Sequence, residues 1–442
     1  MVPPGLADAI DGFTTALFMP WLVGILLLSG LWLTLRTGAV QVRRFAEAWR
    51  VAFARRPTGA TGALTPFQAF MTSLGASIGT GNIAGVATAI VSGGPGALFW
   101  IWVYGFVAMA IKFAEATLGL KYREATGTTV LSGPMYYLRD GLKSPVLAWI
   151  FALVAAVAAL TTTPFTQPNS IALVVNSVFG IPKIAVGIAV AVLTWLVIIG
   201  GIKSIGRAAE KLSPIKVGLY LAGGLIVILF NATRIPSVLA LVFRDALTMQ
   251  SALGFGMFIA MRYGIARGVY ANEAGYGTAA VAYGTAQSTQ PVQQGLNAIV
   301  EVFTVSFVTS TISAMTILLT GVWQSGVTSS AAVAASFNTV MPMFGGWIVA
   351  FCVFLFGYTT LIGWAYYGEQ FFEYILGRKV TLPYRWIYCL LIPFGAVTKV
   401  DLVWAWGDLM NALQVFPNLI GLLGLSGIVA AIARDKLASV KQ

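Results

Sequence analysis

The chain has 442 residues, 58% of them hydrophobic and 10% charged, with a mean hydropathy of +0.84 and a formal net charge of +12. Soluble domains carry about 25% charged residues, so this composition excludes an ordinary water-soluble protein and specifies an all-α polytopic membrane protein. With no histidine and only Cys352 and Cys389, the chain lacks the usual general base, the usual zinc ligand and any disulfide framework, so an enzyme is not expected.

The basic residues are scattered between apolar segments, a pattern that fits membrane orientation and gives no nucleic-acid surface. Residues 1–12 lead into a first apolar segment at 13–35, too long for the core of a signal peptide, and a basic loop from Arg36 to Arg56 follows it. Ten further apolar segments are expected at about 66–92, 95–120, 145–179, 182–201, 214–232, 250–281, 295–322, 345–377, 383–399 and 404–433, giving eleven helices against a span of about 20 residues. With that count, twenty of the 27 Lys and Arg residues fall in loops on one side, Lys216 among them, and four on the other. Positive residues mark the cytoplasmic side, so the amino terminus is expected outside and the carboxyl terminus in the cytoplasm of a cell membrane. The whole of 1–442 reads as one transmembrane domain, and the polar stretch 36–65 as a surface loop.

The second apolar segment is interrupted by Leu74-Gly-Ala-Ser-Ile-Gly-Thr-Gly-Asn-Ile-Ala-Gly-Val86. Gly75, Gly79 and Gly81 lower helix propensity, while Ser77, Thr80 and Asn82 supply hydroxyl and amide groups for the freed backbone or for a ligand. Unwound backbone at membrane depth persists only where protein covers it or where it lines a cavity, so a broken helix with a binding site outweighs close packing through small residues. A dinucleotide fingerprint is rejected here, because the third glycine of Gly79-Thr-Gly-Asn-Ile-Ala-Gly85 falls one position late and no strand precedes it.

A second glycine-punctuated run, Met261 to Thr278, interrupts the segment at 250–281. Setting aside the first helix, the remaining ten divide into two fives, about 66–232 and 250–433, each opening with a broken helix; an odd number of spans gives the two units opposite orientations. Half-helix amino ends suit a carboxylate and exposed carbonyls suit a monovalent cation, so one site can take a zwitterion and an ion together. The hydroxyls of Thr359 and Thr360 either bond their own helix or add oxygen to that site. Of the intramembrane charges, Lys112 and Glu115 can pair on one helical face, and Glu273 serves as a gating contact, in an ion pair with a nearby arginine or as a proton carrier.

Gly79-Thr-Gly-Asn-Ile-Ala-Gly-Val-Ala-Thr-Ala89 resembles the signature of the alanine or glycine:cation symporter family of amino-acid transporters. Gly133-Pro-Met-Tyr-Tyr137, Gly200-Gly-Ile-Lys203, Ala209-Glu-Lys211, Ala266-Arg-Gly268, Asn272-Glu-Ala-Gly275, Gly363-Trp364, Tyr366-Tyr-Gly-Glu369 and Pro417-Asn-Leu419 resemble further blocks, so the likeness runs from about Thr37 to Val429. It implies a LeuT-like 5+5 inverted repeat with an extra amino-terminal helix, and sodium-driven import of alanine or glycine by alternating access, with sodium as the co-transported ion and no other cofactor. The resemblance assigns substrate contacts to Thr80, Gly81, Gln167, Gly275 and Trp364. It assigns sodium to Gly75, Ile78, Thr359 and Thr360, with a second ion at Ser77 and Asn82, and gating or coupling to Asn272 and Glu273. The chain departs from the family pattern at Tyr283, where a histidine is expected, and at Val305-Ser306, where Asp-Thr is expected. A proton-coupled carrier of the same fold is the alternative; an ion channel fits less well, since no acidic ring or carbonyl filter is present.

Overall fold

Breaks in the helices fall where glycine, proline and clustered hydroxyls weaken the backbone ladder, and these breaks set the architecture. The computed structural model describes residues 5–17, 21–54, 60–126, 129–249 and 256–435. Six helical stretches there are long and apolar enough to cross a membrane: Ala97–Lys121, Pro145–Phe179, Gly201–Phe230, Pro291–Thr320, Phe344–Leu376 and Arg378–Val397. Two bent pairs extend this set, Pro66–Ser77 with Thr80–Gly93 at 58° and Val400–Gly424 with Ser426–Ile432 at 64°. The only paired strands among the described residues are the short antiparallel Glu124–Thr126 and Thr129–Leu131.

Several expected boundaries shift. The first apolar segment forms two helices, Leu6–Leu17 and Val23–Arg36, with 18–20 outside the described residues. The stretch 36–65, expected to be a surface loop, contains the helix Phe45–Ala52, which buries Ala48, Val51 and Ala52 and sets Phe45 edge-on to Phe303 with ring centroids 5.0 Å apart. Its apolar residues recur at helical spacing, a pattern hidden by the surrounding arginines. Connections between expected spans also hold helices, Ile235–Leu247 and Ser329–Asn338.

The largest correction concerns the helix expected at 214–232, which begins at Gly201. Lys203, Arg207 and Lys211 are exposed on its outer stripe, whereas Lys216, counted with them among the cytoplasmic basic residues at the edge of the expected helix, is buried. At 3.6 residues per turn, Lys216 lies about 180° around the helix from the centre of that stripe. Exposed Leu28, Leu229, Phe230, Trp386 and Phe394 present apolar surface around the outside, as a lipid-facing perimeter requires.

Candidate functional site

The first break is built by sequence from both ends. Thr65 caps the helix Pro66–Ser77 with its side chain and Gln68 returns the bond, a capping box that fixes where the helix starts. The helix stops at Ser77, a single turn follows at Thr80–Asn82, and a second helix begins at Ala84. Glycine is required here by close approach. A Cβ on Gly79 would lie 2.6 Å from Thr360 Oγ1, and one on Gly81 would lie 2.5 Å from the Tyr270 ring. The turn is crossed by Gln167, whose Oε1 accepts from the Thr80 backbone N–H at 3.1 Å.

At the second break the helix Met257–Asn272 ends on Glu273 in a left-handed conformation, φ 56°, and a short helix resumes at Thr278. The turn carries the Glu273 carboxylate back to Trp364 Nε1 at 2.6 Å and Thr278 Oγ1 at 2.8 Å. These are neutral donors, so the arginine pairing considered for Glu273 is replaced by an indole and a hydroxyl. Arg267 instead forms a bidentate pair with Asp408, at 2.9 and 2.7 Å, and lies over the Trp404 ring, which packs on Tyr270.

Between the two breaks is a small, largely polar cavity. Gly79, Gly81, Gln167, Tyr270, Thr360 and Trp364 line it, with Glu273 and Asn411. Gly81, Gln167 and Trp364 thus stand together as the resemblance implies. Thr80 reaches the wall through its N–H, and its buried Oγ1 has no hydrogen-bond partner among the described residues. Gly275 is not among the lining residues: its N–H donates to Glu115 Oε1 at 2.8 Å and its carbonyl accepts from Asn418 at 2.8 Å. Its neighbours Glu273 and Tyr276 do line the cavity, and both Glu273 and Gly275 have positive φ.

Glu115 also accepts from the Gly277 N–H and from Asn418, so it caps the amino end of the second half-helix. Its expected partner Lys112 points elsewhere. Lys112 Nζ donates to Glu301 Oε1 at 2.6 Å, Ser77 Oγ at 2.7 Å and the Asn272 carbonyl at 2.6 Å, tying the two breaks together. Ser73, Ser77 and Tyr283 also donate to Glu301, so Tyr283 serves as a hydrogen-bond donor to this buried carboxylate.

The two ion sets expected from the resemblance have different outcomes. Gly75 O, Ile78 O and Thr359 Oγ1 do converge, but on the Nζ of Lys216, at 2.9, 2.5 and 2.5 Å. Thr360 turns aside to the Ala76 carbonyl at 2.7 Å. A sodium ion does not fit among these oxygens while the ammonium is there. The second set gathers neutral oxygens. Asn82 bonds the Ser77 carbonyl at 3.0 Å and accepts from Thr309 at 3.1 Å, while Ser306 accepts from Asn272 at 3.1 Å. A π-helical stretch, Thr304–Thr309, turns Ser306 and Thr309 inward; such bulges gather at functional sites. The Ser77 hydroxyl is held between Lys112 and Glu301, while the Ser77 carbonyl faces Asn82 and also accepts from the Gly79 N–H at 2.9 Å. Oxygen ligands of this kind fit a small hard cation.

Paired broken helices around a small polar cavity in a lipid-facing helical shell define a membrane transporter of the LeuT-like fold. MhsT in complex with L-phenylalanine superposes with a TM-score of 0.56 at 14% identity, covering 85% of this chain and 100% of that one. The manganese transporter of Eremococcus coleocola gives 0.55 at 15% identity, covering 83% and 82%. The sequence profile of the sodium:alanine symporter family matches residues 5–442, and the chain belongs to that family. It is 39% identical over 436 residues to the sodium/alanine symporter AgcS of Methanococcus maripaludis, covering 96% of this chain and 95% of that protein. It is 34% identical to the probable sodium/glutamine symporter GlnT of Bacillus subtilis, covering 97% and 91%. The putative sodium/proton-dependent alanine carrier protein YrbD of the same organism is 31% identical, covering 99% and 94%. The chain is therefore a multi-pass membrane transporter of amino acids and not an enzyme.

Proposed function

We propose that this protein is a sodium-coupled symporter that imports alanine or glycine across the cell membrane by alternating access. The observation that carries this reading is the cavity between the two breaks, which is small, polar and shares Ser77 with the neutral oxygen set. The amino acid's carboxylate sits at the Thr80–Gly81 turn, where half-helix N–H groups suit an anion, with Gln167 beside it. Trp364 and Tyr270 limit the side chain to a methyl group or hydrogen. Sodium lies at the Ser77 carbonyl and Asn82, with Asn272, Ser306 and Thr309 completing its shell. Glu273, anchored to Trp364, couples the second break to the pocket wall.

The eleven-span, 5+5 arrangement with the amino terminus outside belongs to this proposal and is supported by the distribution of Lys and Arg in the sequence. Radiolabelled alanine uptake into proteoliposomes tests the function. Concentrative uptake under an inward sodium gradient, absent under an equal potassium gradient, is expected. Uptake driven by a pH gradient without sodium would instead favour a proton-coupled carrier, and no uptake of alanine or glycine under any gradient would overturn both.

A further inference from the structure

Lys216 has the three features of a bound cation. First, its ammonium is fully buried, with a relative exposure of 0%. An ammonium at that depth is expensive unless polar groups around it offset the loss of water. Second, an ammonium has three protons and no acceptor, and three oxygens receive them: the carbonyls of Gly75 and Ile78 and the hydroxyl of Thr359. The Thr359 hydroxyl passes its own proton to backbone carbonyls of its helix or of Gly75, which leaves a lone pair facing Nζ. Third, the face of the Phe356 ring lies 5.1 Å from Nζ, the placement of a cation–π contact. All three hydrogen-bond partners are neutral oxygens, which is how a protein holds an alkali cation.

The oxygens come from two elements that must stay in register. Gly75 and Ile78 belong to the end of the first half-helix, and Thr359 to the long helix Phe344–Leu376. Lys216 arrives from a third helix, Gly201–Phe230, with the Ser213 hydroxyl one turn before it bonded to the Met71 carbonyl at 3.1 Å. A covalently attached cation thus braces the broken helix against its neighbour without being able to leave.

We propose that Lys216 is a tethered cation that replaces one co-transported sodium ion, so that only the Ser77 and Asn82 set takes sodium. This rests on the sodium-symport reading for its transport consequence: one sodium moves with each amino acid. Its binding consequence stands apart from that reading, because removing the lysine opens an oxygen-lined site that sodium can enter.

The test uses the purified full-length protein with NaCl or KCl, comparing wild type, Lys216→Ala, Thr359→Ala and the double variant, by bound radioactive sodium and by thermal stability. Lys216→Ala is expected to gain one bound sodium over wild type and to be stabilised by NaCl but not by KCl. Adding Thr359→Ala should remove that gain. In the wild-type background, Thr359→Ala should slow transport yet move half-saturating sodium by less than about twofold, whereas loss of a true sodium ligand moves it about tenfold or more. Lys216→Ala that binds no more sodium than wild type, or a tenfold shift for Thr359→Ala alone, would overturn the proposal. A wild type that ignores sodium beside a variant that binds it would keep the tethered cation and remove the symport reading. A sodium-driven wild type whose variant gains nothing would do the reverse. Should Lys216→Ala fail to fold, Lys216→Met supplies a side chain of similar length without charge, and the Thr359→Ala arm still decides.

Discussion

Lys112→Met removes an ammonium whose protons go to Glu301, Ser77 and the Asn272 carbonyl, at 2.6–2.7 Å in a site with no exposure on either partner. Breaking one half of a buried ion pair costs about 3–5 kcal/mol, chiefly because the remaining charge is left without its partner. Glu301 would keep Ser73, Ser77 and Tyr283 as donors. That places the loss near the lower bound, about 3 kcal/mol. Glu301→Gln should cost a similar amount, because it strands the lysine. The double variant removes both charges and should fall short of the sum by about 2 kcal/mol, the coupling expected of residues in one network. Unfolding in mixed detergent and SDS micelles, followed by tryptophan fluorescence, measures all four corners of the cycle. Additive losses, with coupling below about 0.5 kcal/mol, would refute the idea that this pair holds the two breaks together.

Other outcomes follow from the same geometry. Gly81→Ala places a methyl 2.5 Å from the Tyr270 ring, so alanine uptake should fall by about 100-fold, roughly 2.7 kcal/mol, while size-exclusion chromatography shows folded protein. Asn82→Ala removes an amide that bonds the Ser77 carbonyl and accepts from Thr309, and half-saturating sodium for uptake should rise by about tenfold or more. Arg267→Lys keeps the charge but loses the two-pronged contact with Asp408, so uptake should drop about as far as in Asp408→Asn, which a side-by-side rate measurement checks.

Both breaks were legible because helix-weakening glycines stand among polar side chains where lipid would demand an unbroken ladder. Gln167 and Trp364 were placed by resemblance, and the fold brings them to the same cavity. What local spacing could not supply was the partner of each buried charge. Lys112 and Glu115 share a helical face, yet Lys112 pairs with Glu301, 189 positions away, and Glu115 caps a half-helix. Lys216 followed a run of basic residues and was counted with them. Its phase around the helix, opposite Lys203, Arg207 and Lys211, was the available signal, and it needed the helix to begin at Gly201 to be read. Gly275 bonds Glu115 and Asn418 while its neighbours Glu273 and Tyr276 line the cavity, and nothing in a glutamate announces the left-handed conformation that Glu273 adopts.

The most direct measurement is the ratio of sodium to alanine entering the same proteoliposomes, with both labelled and the membrane potential clamped. One sodium per alanine is the result expected of a symporter whose other cation position is filled by Lys216. Alanine accumulation with no accompanying sodium would contradict sodium coupling, and two sodium ions per alanine would contradict the tethered cation.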